Sequence, residues 1–152
     1  MATVTELIFE EQIGHLREIA ENRGWELKET EDLGFILTLQ AKDGSRYSLK
    51  VECEGYQSIP PAWHWYNLIS GIKDQRADTP KGTGGYFHDC GRICASWNRL
   101  AYKSVDPVGP HGEWELNNWM TNPHSKGCTT LSAMAVRMAT ELGSDRYLGR
   151  AA

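Results

Sequence analysis

Apolar residues near the start of the chain recur at helical spacing: Phe9, Ile13, Leu16 and Ala20 share one face, while Glu10, Glu11, Arg17, Glu18 and Glu21 occupy the rest. Thr3-Val4-Thr5-Glu6 has the form of a capping box, and Gly24 is placed to end the helix in a left-handed turn. The period then changes to two. Trp25 to Glu29 is a short alternating segment, and Phe35, Leu37 and Leu39 alternate with Ile36, Thr38 and Gln40. Lys42-Asp43-Gly44-Ser45 is a hairpin signal, after which Tyr47, Leu49, Val51 and Cys53 share a face opposite Ser48, Lys50, Glu52 and Glu54. Cys53 is in phase with the core and reads as packing. Pro60-Pro61 interrupts the sheet, because proline cannot donate to an interior ladder. Ala62 to Tyr66 follows as a fourth strand, with Trp63 and Trp65 inward and His64 outward in a structural role. From Ile69 to Gly127 no period persists, yet Tyr86, Phe87, Trp97, Tyr102, Trp114 and Trp119 make that region ordered and packed on the sheet. Leu131, Met134, Ala135, Met138 and Leu142 then form a buried helical stripe, capped by Thr129 or Thr130 and closed by Gly143.

The pattern predicts an α+β fold: an N-terminal helix, a four-stranded antiparallel meander, a long irregular segment and a C-terminal helix. At 152 residues, with no internal repeat, residues 1–152 form a single domain. The net charge of −4, without a block of Lys or Arg, argues against nucleic acid as the main partner. No apolar run is long enough for a bilayer and the N-terminus lacks the form of a signal peptide, so a cytoplasmic protein is expected, with no membrane partner.

Chemistry concentrates in Tyr86 to Trp97, where His88, Asp89, Cys90 and Cys94 fall within seven residues after the glycine-rich run Gly82-Thr83-Gly84-Gly85. In a reducing compartment such a cluster reads as nucleophilic catalysis or as metal. Cys90, Cys94, His88, His111, His124 and Cys128 are all candidate zinc ligands, but Cys90-x-x-x-Cys94 has no second close-set pair, so no metal and no cofactor is expected. A disulfide between Cys90 and Cys94 would instead indicate redox sensing.

The element order, the turn from Tyr56 to Pro60-Pro61 before the fourth strand, and Gly91-Arg92-Ile93-Cys94 resemble the ubiquitin-conjugating enzyme family. The form is divergent and minimal, similar to homologues in bacterial ubiquitin-like conjugation operons. The resemblance implies that Cys94 accepts a ubiquitin-like C-terminus as a thioester and passes it to an amine of a protein target. It also implies that an activating-type enzyme docks on the N-terminal helix. The family's His-Pro-Asn triplet is missing: its offset falls on Gly84-Gly85-Tyr86, so no asparagine carries over as the oxyanion donor. His88 is the candidate to orient or deprotonate the nucleophile, or to serve the oxyanion along with Asn98, Asn117, Asn118 or backbone N–H groups near Gly91. The segment between Cys94 and the last helix is longer than the family's, and the chain is expected to end after that helix. Two other readings remain at this point: a zinc-binding protein built on the Cys90/Cys94/His cluster, and an inactive homologue that only binds ubiquitin-like proteins.

Overall fold

The computed structural model describes all residues except 83–85, 88, 89 and 152. The chain opens with helix α1 (Val4–Arg23), whose Thr3 hydroxyl accepts a bond from the Glu6 amide at 3.1 Å. Gly24 closes it with φ 73°, the left-handed region in which a side chain would be strained. The buried face is Phe9, Ile13, Leu16 and Ala20, the stripe that the sequence marks.

Strands β1 (Glu26–Thr30), β2 (Gly34–Gln40), β3 (Arg46–Glu52) and β4 (Ala62–Tyr66) follow, and pair in chain order as an antiparallel meander. Register pairs Leu37 with Leu49, Leu49 with Trp65, and Val51 with Trp63, so one face carries a continuous apolar row. α1 and helix α2 (Leu131–Leu142) pack beside each other on the sheet's core face. Trp63 and Trp65 are buried with that row, as is Cys53. The opposite face is polar. There His64 lies between two carboxylates, its Nδ1 2.7 Å from Asp74 and its Nε2 3.0 Å from Glu52, which also takes Lys73 at 2.9 Å. These bonds pin the loop after β4 to the sheet and give His64 the structural role expected of it.

One feature departs from the expectation. The chain does not stop at α2 but returns as strand β6 (Tyr147–Arg150), antiparallel to the three-residue strand β5 (Pro80–Gly82). Its anchor is Tyr147, whose hydroxyl lies 2.8 Å from that of Tyr47 and 3.0 Å from the Asp43 carboxylate. Arg150 stacks 4.3 Å above the Tyr47 ring. Strands of three and four residues are too short to show a period, and only their pairing defines them.

Between β5 and α2 the chain is irregular, with short 3-10 turns at Arg99–Ala101, Leu116–Thr121 and Pro123–Ser125. It is nonetheless well packed. Trp97, Tyr102 and Trp119 are almost fully buried, and the Trp97 ring meets Trp63 edge to face at 5.5 Å. No helix among the described residues is long and apolar enough to cross a membrane.

Candidate active site

Cys94 is placed by the turn that follows it. Buried Asn98 accepts the Trp63 amide of β4 on Oδ1 (2.9 Å) and donates Nδ2 to the Ile93 carbonyl (3.0 Å), clamping the residue before Cys94 to the sheet. Arg99 reaches back to the Pro-Pro turn: its amide donates to the Pro61 carbonyl (2.9 Å) and its Nε to the Pro60 carbonyl (2.8 Å). Pro-Pro and the cysteine loop thus form one hydrogen-bonded corner.

The same corner holds a second loop. The His111 amide donates to Ala101 and its carbonyl accepts from Lys103, both at 3.0 Å. Gly109 lets this loop approach, since a Cβ there would lie 2.9 Å from the Tyr102 carbonyl. Arg92 and Asp106, both largely buried, close the two loops over each other at 2.6 Å. The result brings the Cys94 thiol 3.0 Å from His111 Nε2, and His111 Nδ1 2.6 Å from Glu113 Oε1.

The hydrogen-bond roles follow from this geometry. The exposed Glu113 carboxylate accepts at Nδ1, so the neutral ring carries its proton there and leaves Nε2 to accept from the thiol. The bond from His111 keeps the Glu113 carboxyl below the usual carboxylate range. Burial pushes the Cys94 thiol up to about 11, with the charges of Cys90 and Glu113 acting in the same direction. The arrangement places a ring nitrogen where it can accept the Cys94 proton.

His111 lies flat on Trp114, with ring centroids 3.5 Å apart and planes 8° apart. Trp114 and Glu113 continue into a groove of about 550 Å3 that also involves Glu115, Asn118 and His124. A cleft of about 130 Å3 lies beside Cys90, lined by Lys81, Thr79 and Phe87 among others.

Among the described residues, the histidine that the structure brings to Cys94 is His111, seventeen residues downstream. His88 and Asp89 lie outside the described residues. Asn98 is committed to the framework through both ends of its amide and is not an oxyanion donor. The Asn118 amide donates to Glu115 at 3.0 Å. Among the described residues, no three His, Cys, Asp or Glu side chains converge on a metal position. All four cysteines are free thiols, Cys90 and Cys94 included. Sequence marks His111 only as a possible zinc ligand and does not mark Glu113. The signal for both was slight: an imidazole and a carboxylate two residues apart, between Pro110 and Trp114, in a segment without period.

Comparison with known protein families, with curated proteins and with solved structures finds no match to this chain.

Proposed function

We propose that this protein is a cysteine-dependent acyl transferase of the ubiquitin-conjugating type, which accepts a ubiquitin-like C-terminus on Cys94 and passes it to an amine. One observation carries the proposal: Cys94 lies 3.0 Å from an imidazole whose other nitrogen is held by a carboxylate, in a loop fixed to the Pro-Pro corner of a four-stranded meander. The element order agrees with the family that the sequence resembles.

In the charging step, the thiol proton passes to His111 Nε2 and the sulfur attacks the carbonyl of the incoming thioester. The intermediate collapses, expelling the donor's thiolate, which takes a proton. In the transfer step the acceptor amine attacks the Cys94 thioester. His111 removes the ammonium proton generated on attack and returns it to the departing Cys94 sulfur. Glu113 stabilises the imidazolium in both steps. A positioned base of this kind is worth roughly 10²–10⁴ in rate.

The Cys94–His111–Glu113 geometry also favours a second reading, a thiol hydrolase that releases a ubiquitin-like protein by admitting water to the same thioester. Both readings place the acyl group on Cys94. They differ in the acceptor.

The test is incubation with candidate ubiquitin-like proteins, an activating enzyme and ATP. A gel shift sensitive to reducing agent supports the proposal, provided that Cys94→Ala abolishes it, Cys94→Ser converts it to an adduct resistant to thiols, and Cys90→Ala leaves it. Cleavage of a C-terminally extended precursor without charging points to the hydrolase. Normal charging of Cys94→Ala overturns both readings.

A further inference from the structure

We infer that Trp114 is a positioning residue for the Cys94–His111 pair, holding the ring plane of the base and favouring the imidazolium that forms as the thiol is deprotonated. This rests on the reading of Cys94 and His111 as the reacting pair.

An imidazole has two rotational freedoms to fix. Cys94 and Glu113 engage its two nitrogens and define its orientation within the ring plane. Neither fixes the plane itself, since each is a single contact at an edge. The indole does: at 3.5 Å between centroids and 8° between planes, any tilt of the ring drives it into Trp114. Trp114 is held in its turn. Tyr102 packs against it at 5.7 Å, and the Tyr102 hydroxyl is tied to the Ser96 carbonyl at 2.6 Å. His124 abuts the indole at 5.1 Å. The chain from the cysteine loop through Tyr102 and Trp114 to His111 is continuous packing.

The stack also acts on charge. An aromatic face carries negative potential and favours a cation lying over it, by an amount equivalent to about two- to thirtyfold in an equilibrium. It also denies water one face of the ring. Among the described residues, the titratable groups around His111 are Cys94 and Glu113 at its edges, His124 with its ring centroid 6.3 Å away, Lys103 on the neighbouring stretch of the loop, and Cys90 acting through Cys94. Glu113 is exposed and screened, so the indole is the contact that water cannot replace.

The experiment is alkylation of Cys94 by iodoacetamide in the full chain, followed by peptide mass from pH 6 to pH 11. In this reaction the S–H bond breaks and the proton goes to His111 Nε2. The sulfur bonds to the CH2 carbon, iodide leaves, and the proton then passes to solvent. Trp114→Ala is expected to slow Cys94 alkylation about three- to tenfold near pH 7 and to leave it unchanged near pH 11, where hydroxide supplies the thiolate. Trp114→Phe keeps a flat aromatic face and should stay within about threefold of the parent. In a His111→Ala background, Trp114→Ala should add no further loss near pH 7. Profiles that superimpose, an equal loss at both pH values, or additivity with His111→Ala would each overturn the inference. None of these readings needs a ubiquitin-like protein. If Trp114 shifts the profile but no donor ever charges Cys94, the conjugating reading fails and the positioning role stands.

Discussion

At the scale of single residues, the proposed mechanism leans on His111 more than on any other described group except Cys94. His111→Ala should slow charging of Cys94 by about 10²–10³, because the half-buried thiol then loses the proton acceptor it has among the described residues. Glu113→Gln should cost less, on the order of tenfold, since Glu113 is exposed and water can replace part of its bond to Nδ1. Single-turnover formation of the thioester measures both. A His111→Ala protein that charges at the parent rate would remove the histidine from the mechanism. Cys94, the proposed nucleophile, stands out in a four-residue motif, whereas His111, its proposed base, does not. Nothing local distinguishes His111 from His124 or His15, because the contact spans seventeen residues of irregular chain.

Elements explain how two loops arrive at one point. The cysteine loop and the histidine loop hang from the Arg99–Ala101 turn, and the Arg92–Asp106 pair joins them at the far side. Asp106→Asn leaves the largely buried guanidinium without its counter-charge, at a cost of about 1–3 kcal/mol. For a chain of this length that lowers Tm by roughly 2–10 °C, and charging should slow as the loops separate. An unchanged Tm would mean that the pair contributes nothing to joining them. Helix α1 offers a second prediction, resting on the proposed docking of an activating enzyme. Glu10, Glu11, Glu18 and Glu21 are exposed, whereas Arg17 pairs with Glu29 of β1. Reversing Glu10 and Glu18 should therefore slow charging and leave Tm alone. Charging kinetics that ignore both reversals would return this face to solvation.

Across the whole molecule, packing puts several weak acids where they resist ionisation. Burial raises the Cys53 thiol to about 12 and the Cys94 thiol to about 11, against an ordinary value of 9.0. The buried hydroxyls of Tyr47, Tyr56 and Tyr102 are pushed up for the same reason. A raised folded value means that the unfolded chain loses its proton first. The stability is then complete below pH 9 and is lost as pH rises from 9 towards 12. Urea midpoints should hold up to about pH 9 and fall between pH 9 and pH 11. Cys53→Ala should lower the plateau at pH 7, because it empties part of the core, but should make the alkaline decline shallower. A decline equally steep in that variant would assign the effect to the tyrosines alone.

Everything that rests on a local period or a local cap can be read along the chain. The α1 and α2 stripes, the Thr3 cap, the Gly24 terminus and the in–out alternation of β2, β3 and β4 follow from spacings of two and three to four residues, which the backbone geometry imposes whatever surrounds it. The inward tryptophans of β4 and the buried Cys53 belong to the same class. Tertiary structure decided the rest. Strand β6 exists because Tyr147 finds Tyr47 and Asp43, about a hundred residues away. Asn98 is a framework residue, contrary to its candidacy as an oxyanion donor, because the Trp63 amide and the Ile93 carbonyl meet at its side chain. His111, Glu113 and Trp114 reach Cys94 only because the turn at Arg99–Ala101, a close approach at Gly109 and one ion pair fold an unpatterned segment back on the cysteine. Contacts of that kind are set by three-dimensional proximity, and no periodicity along the chain encodes them.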